Sequence, residues 1–288
     1  MNKKSSLRVS LVIPVYNEES HLALCLDAIA SQTVRPHEVI VVDNNSTDGT
    51  VAVAQRYSFV TILHEPRQGV AYARDRGFNA ATGDIIGRTD GDTVLAPNWV
   101  AQTQVVFSDP TIDAASGIVY YRDIGLQKAF DVIDTALRSW LARRMAPRRE
   151  VFLYGVTMGI RRSAWEKVRE HICHQRRYAE DMDLSAHMSH IGQKVVFTER
   201  LRAIISPRQA ASSPREFYKY VWSCPHTYRD HGMATYLYMY PVALFVMSLY
   251  LPIRLLYKGY NPDTQRFSLA YARRSNVRSR VSPVSDLI

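Results

Sequence analysis

A chain of 288 residues, 47% of them hydrophobic, can bury a large core, which excludes a disordered or low-complexity protein. The formal charge is +9, and between Arg254 and Arg280 seven basic residues stand against one acid, Asp263, a composition that suits an anionic membrane surface or nucleic acid. Three widely spaced cysteines, Cys25, Cys173 and Cys224, argue against a disulfide framework and fit a reducing compartment.

Lys3, Lys4 and Arg8 precede a short apolar run, but Pro14 and Asn17-Glu18-Glu19 end it too early for a signal peptide. That run, VSLVIPVY (9–16), is short, apolar and β-branched, and predicts a buried strand. Leu22, Leu26 and Ile29 give helical spacing within 19–31. EVIVVD (38–43) predicts a second buried strand, ended by the turn and cap residues NNSTDGT. A helix over about 48–57, a strand at 59–64, a helix at 69–81 and a strand at 84–90 follow. Strand–helix alternation at this spacing predicts a parallel sheet with helices on both faces, whose ligands sit beyond the carboxyl ends of the strands. Asp43 and the pair Asp90 and Asp92 fall there.

The second half is less regular. Strands are expected at 114–121, 154–160 and 194–199, and helices at 126–145, near 163–170, over 177–192 and around 214–230. No internal repeat is visible. Residues 233–253 form an uncharged block of 21 residues, about the length that spans a bilayer core. If the preceding domain faces the cytosol, one crossing would export the basic tail, against the positive-inside tendency. Pro241, Pro252 and the tyrosines at 236, 238, 240, 250 and 257 suit a re-entrant or interfacial segment better.

Three groups of acids carry chemistry. Asp90 and Asp92 flank Gly91, and carboxylates so close favour a hard divalent cation such as Mg²⁺ or Mn²⁺, with open positions for phosphate; a solvated D-G turn is the competing explanation. Gly91 would let the ligand approach the backbone. Asp43 ends its strand as an acceptor for a base imide or ribose hydroxyl, or as an Asx turn. Glu180 and Asp181 begin a helix, where an anion is stabilised and a general base can sit; dipole complementarity alone would also explain them. HICH (171–174) lacks the spacing of a zinc signature and a second ligand pair, so no metal is expected there.

Taken in order, VSLVIPVYNEE, VIVVDNNSTDGT, GVAYARDRGFNAATGD, GRTDGD and YAEDMDLSAHMSHIG resemble an inverting family 2 glycosyltransferase of the GT-A fold, over residues 9–210. The resemblance implies a Rossmann-like, mainly parallel α/β sheet flanked by helices. The GT-A domain would cover 1–230, with a nucleotide-binding half at about 9–95 and an acceptor half at about 96–230. A membrane-associated or packing segment at 231–260 and a flexible basic tail at 261–288 would follow. It implies a UDP-, GDP- or dTDP-linked sugar donor in contact with Pro14, Tyr16, Glu18, Asp43, Arg74, Asp90 and Glu180. Asp92, with Asp90, would hold Mg²⁺ or Mn²⁺, and Asp181 would be the base. Asp75 departs from the asparagine more usual after the arginine, and the Q-x-x-R-W motif of processive synthases is absent, which implies transfer of single sugars.

The expected activity is therefore metal-dependent inverting transfer of one sugar to an acceptor hydroxyl or phosphate. The acceptor would be a glycan or of polyprenyl-phosphate type, in cell-envelope glycan or glycolipid synthesis. The expected location is the cytoplasmic face of the membrane or the cytoplasm. Residues 233–280 would meet an anionic membrane surface, and a homodimer is compatible with the uncharged block. A non-catalytic membrane adaptor keeping the fold, and a nucleotidyltransferase, are the rival classes; PVYNEES is no phosphate loop. Nucleic acid is not expected as a partner, because the tail lacks interleaved aromatics.

Overall fold

The computed structural model describes residues 6–175, 177–208, 212–261, 264 and 266–268. The strands are β1 (Val9–Val15), β2 (Glu38–Asp43), β3 (Val60–His64), β4 (Ile85–Arg88), β5 (Val94–Leu95), β6 (Ala114–Tyr121), β7 (Met158–Arg161), β8 (Val195–Ile205), β9 (Tyr260–Asn261) and β10 (Arg266–Phe267). The helices are α1 (Leu22–Ala30), α2 (Thr50–Ala54), α3 (Val70–Ala80), α4 (Trp99–Val106), α5 (Gln127–Met145), α6 (Arg162–Val168), α7 (Glu180–His190), α8 (Pro214–Asp230), α9 (Tyr236–Ser248) and α10 (Tyr250–Gly259).

Eight strands form one sheet in the order β3-β2-β1-β4-β7-β6-β8-β5. The first four run parallel, as the alternation predicts. The second half departs from a parallel sheet. β7 lies antiparallel between β4 and β6, and β5 is antiparallel to β8. The backbone over 155–157 makes a tight helical turn, so β7 begins only at Met158. Conversely, β8 runs on to Ile205, well past the expected end.

Successive side chains on β1 go to opposite faces. Leu11 and Ile13 join the core that includes Leu22, Leu26 and Trp99. Val12 joins the opposite core, with Phe78, Trp165 and Met188. Pro14 is tolerated in this central strand for a local reason. Val15 O accepts from Asn44 N on the β2 side, so Pro14 faces the β4 side, where pairing has already stopped at Val12.

α8 starts with a capping box: Ser213 accepts from Glu216 N, and the Glu216 carboxylate accepts from Ser213 N, with Pro214 in the first turn. The uncharged block is not one helix. α9 and α10 bend by 47° at their junction, and no single described helix is long and apolar enough to cross a membrane, although the bent pair is by length and composition. Of α9, only Met239 and Ala243 are buried, while Leu244 is 57% exposed; on α10, Leu251 is 62% exposed. This is not the burial of a core helix. The expected flexible tail is ordered at its start, where Arg266 and Phe267 of β10 pair with Asn261 and Tyr260 of β9; Arg273 and Arg274 lie outside the described residues.

Candidate active site

The carboxyl ends of β1, β2 and β4 converge, and short polar loops hold them. Asn17 and Asn45 adopt left-handed φ values of 55° and 65°, which asparagine tolerates. The Asn17 side chain accepts from Thr47 N, tying the first loop to the second. Asn44 donates to Glu65 O and Arg67 O and accepts from Gly69 N, tying the second loop to the start of α3.

Asp43 is buried there. Its Oδ1 accepts from Ser46 N at 3.1 Å, an Asx turn, while Oδ2 faces His64 Nδ1 at 3.3 Å. The capping and ligand readings of Asp43 therefore use different oxygens. Tyr16 is half exposed beside it, and Pro14 is buried.

Asp90 and Asp92 follow β4, and each has its own cation. Asp90 Oδ1 meets Arg88 at 3.0 Å. Asp92 Oδ2 meets Arg208 at 2.6 Å, and Arg208 also grips both oxygens of Glu18, at 2.7 and 3.0 Å. Burial, with Asp92, Glu180 and Asp181 close by, pushes the Asp90 carboxyl up to about 6, against the pull of Arg88. The acids thus exceed their cations, and a second oxygen on each aspartate is left for a ligand. That donor set fits a hard divalent ion. Gly91 also has a packing reason: a Cβ there would sit tightly against Val15 and Glu18, at 3.0 and 3.2 Å.

Glu180 and Asp181 open α7. Glu180 is clamped by two buried guanidiniums, Arg88 at 2.6 Å and Arg74 at 2.7 Å. Arg74 is fully enclosed and so does not face a nucleotide, in contrast to the sequence-based expectation. It holds Glu180 and is neutralised by Asp75 at 2.8 Å, whose other oxygen meets His174 Nε2 at 2.7 Å. The departure from asparagine at 75 therefore supplies the second anion for a buried cation. Asp181 Oδ2 accepts from Gly155 N at 3.0 Å, and Oδ1 from Met182 N at 2.9 Å. Burial and the neighbouring Glu180 charge raise its pKa, which strengthens it as a base.

The profile of Glycosyl transferase family 2 matches residues 10–169. The chain belongs to glycosyl transferase family 2. A relative in Haloferax volcanii, glycosyltransferase AglE, is 34% identical over 120 residues, which cover 39% of this chain and 40% of that protein. The matched stretch is thus well under half of that relative. In fold, this family 2 protein resembles the mannosyltransferase PcManGT from Pyrobaculum calidifontis in complex with GDP-Man and Mn²⁺. The TM-score is 0.66 at 21% identity, covering 94% of this chain and 79% of that one. It also resembles S. aureus TarS in complex with UDP, with a TM-score of 0.56 at 16% identity, covering 77% and 65% of the two chains. The architecture is that of the GT-A fold.

On its other side, this family 2 site opens into a cavity of about 300 Å³ with Asp181 in its wall. Most of the lining is apolar, with Ile124, Phe152, Phe217, Val221, Met239 and Val242 among it. The polar end holds Arg138, paired to Asp134 at 2.6 Å and stacked 3.9 Å over the Tyr154 ring. The expected acceptor half, about 96–230, contributes residues from Tyr121 to Pro225, and α9 and α10 close the cavity, which the sequence did not suggest. Arg88 and Arg208 were also missed. Arg88 had a local signal: two residues before Asp90, it shares that residue's face along the strand direction. Arg208 had none, being 190 residues from Glu18.

Proposed function

We propose that this chain is a metal-dependent inverting glycosyltransferase that moves single sugars from a nucleotide-sugar donor to a lipid-linked acceptor, at the cytoplasmic face of a membrane, in envelope glycan or glycolipid synthesis. The observation that carries this reading is the position of Asp181, a partly buried carboxylate of raised basicity between an acidic cluster and an apolar cavity. The cavity is closed by helices whose outer faces expose leucine, as an apolar, membrane-borne acceptor requires.

Tyr16, Glu18 and Asp43, beyond the ends of β1 and β2, are the groups that would hold the nucleoside, with Asp43 Oδ2 as an acceptor for a base imide or ribose hydroxyl. Asp90 and Asp92 would hold Mg²⁺ or Mn²⁺. When bound, such an ion neutralises charge on the leaving diphosphate. Arg208 is the cation able to exchange its carboxylates for donor phosphate oxygens. Arg74 and Arg88 fix Glu180 and with it the start of α7. Asp181 takes the proton of the acceptor hydroxyl, which attacks opposite the leaving diphosphate, so that one displacement inverts the anomeric carbon.

The test begins with thermal shifts for UDP, GDP and dTDP, each with Mn²⁺. Radiolabelled transfer from the sugar form of the stabilising nucleotide is then measured to a detergent-solubilised polyprenyl-diphosphate-linked sugar, which offers a hydroxyl, and to soluble glycans. The expected result is transfer to the lipid with an inverted product by NMR, abolished by EDTA and strongly weakened in Asp92→Asn. Full activity in EDTA, a retained anomer, or transfer only to soluble glycans would each sink the corresponding part of the proposal.

A further inference from the structure

A second cluster of metal-ligating groups lies on the far side of α7 from the acids described above. Cys173 Sγ, Asp183 Oδ1, His187 Nε2 and His231 Nε2 come from three separate segments: the loop before α7, α7 itself and the residue capping α8. Their ligand atoms all lie within 4.8 Å of one another. Asp183 and His187 stand four apart on α7 and so project from one face.

The hydrogen bonds around the cluster leave its most buried acceptor, one oxygen of Asp183, unpaired. Asp183 is fully buried; its Oδ2 accepts from Cys173 N at 3.0 Å, but Oδ1 accepts no hydrogen bond of acceptable geometry. His231 Nδ1 lies 2.7 Å from Thr227 O. A carbonyl only accepts, so in the neutral ring the proton sits on Nδ1 and Nε2 presents a lone pair. That lone pair faces Asp183 Oδ1 at 3.0 Å. Two buried acceptors face each other, which a cation between them would convert from repulsion to attraction. The contact from His231 Nδ1 to a backbone carbonyl is also the support that orients ligating imidazoles.

The spacing discriminates further. A tetrahedral zinc with bonds of about 2.3 Å to sulfur and about 2.0 Å to nitrogen and oxygen separates its ligands by about 3.6 Å for S···N and about 3.3 Å for N···O. Here Cys173 Sγ is 3.5 Å from His187 Nε2 and 3.9 Å from His231 Nε2. Asp183 Oδ1 is 3.5 Å from His187 Nε2 and 3.0 Å from His231 Nε2. One sulfur, two imidazoles and one carboxylate suit a borderline ion, not the hard ion expected at Asp90 and Asp92. Of the HICH stretch only Cys173 takes part; its partners are distant in sequence, so no zinc spacing was readable.

We propose that these four side chains form a closed, tetrahedral Zn²⁺ site of structural type. Four protein ligands leave no open position for substrate, so the ion would hold three segments together. It would pin α7, whose first turn carries Asp181 two residues before Asp183, to the end of α8 and to the loop through Cys173.

The test uses the full chain, stripped with a chelator and titrated with Co²⁺. The expected spectrum has intense tetrahedral d–d bands and a thiolate-to-cobalt charge-transfer band, both removed by about one equivalent of Zn²⁺. Cys173→Ser should lose the charge-transfer band and His231→Gln should bind Co²⁺ more weakly with altered d–d bands, while Asp92→Asn keeps both. Because either variant could fail to fold, the wild type supplies a second readout: Zn²⁺ should slow alkylation of Cys173 by iodoacetamide at least about tenfold, mapped by mass spectrometry. Octahedral Co²⁺ alone, no uptake, or undiminished alkylation in Zn²⁺ would mean that the cluster is a protonated histidine–aspartate pair, and would overturn the proposal.

Discussion

Asp181→Asn isolates the base from the binding machinery. The substitution keeps shape and removes one acceptor oxygen. Two backbone N–H groups, of Gly155 and Met182, now use separate carboxylate oxygens. Asparagine satisfies one and turns its amide N–H₂ toward the other, at a cost of about 1–3 kcal/mol for the unpaired group. Losing an anion at the start of α7 costs about 0.3–1 kcal/mol more. Relief of a desolvated charge opposes both, because burial already raises the Asp181 pKa. The fold should therefore survive with a loss of about 1–2 kcal/mol in net stability. Catalysis should not: a missing general base costs about 10²–10⁴-fold, or roughly 3–5 kcal/mol of barrier. The assay is steady-state transfer with the donor varied at saturating acceptor. The donor KM should stay within about threefold while kcat falls at least about a hundredfold. In the wild type, the acid limb of kcat/KM should lie above the ordinary aspartate range, and the variant should lack it. A kcat within about threefold of wild type, or a donor KM rising in step with the loss, would refute the assignment.

Other perturbations probe the surroundings of that base. Gly155→Ala would place its Cβ 1.6 Å from Arg88 Nη1, so the guanidinium must leave Glu180; breaking a buried pair costs about 3–5 kcal/mol. Melting temperature and activity should fall together, and adding Arg88→Lys, with its slimmer head, should restore part of the stability; a silent Gly155→Ala would refute the packing argument. Asp90 tests the electrostatics of the acidic cluster in EDTA. Because its folded-state pKa is raised to about 6, its favourable contribution is present below pH about 4 and lost by pH about 6. Two units would be about 3 kcal/mol, but the side chain is 36% exposed, and water reduces this to about 1 kcal/mol. Asp90→Asn should thus gain stability over wild type as pH rises from 4 to 7, and a gap independent of pH would count against it. Finally, Leu244→Glu with Leu251→Glu, both at exposed sites, should leave the melting temperature unchanged and abolish flotation with anionic vesicles; equal flotation would remove the membrane contact from the proposal.

Local chemistry made much of this protein legible from its residues. EVIVVD and AASGIVYY are strands over the ranges read from their β-branched content, because runs buried on both faces carry that signature wherever they pair. α8 begins at Pro214, after Ser213, because the cap and its partner Glu216 lie within one turn. The candidate acids were found for the same reason: each closes a strand or opens a helix, positions marked by neighbours a few residues away. Strand direction in the second half was not marked in this way, since β7 pairs with β4 across more than seventy residues and either direction buries the same side chains. Nor were the cations that make the acids tolerable. Arg208 reaches Glu18 and Asp92, Arg74 reaches Glu180, and Cys173 reaches His231 only after the chain has closed on itself. Charge neutrality of a buried site is a condition on the assembled volume, which no window of sequence contains; the acids could be read one by one, but their partners were chosen by the fold.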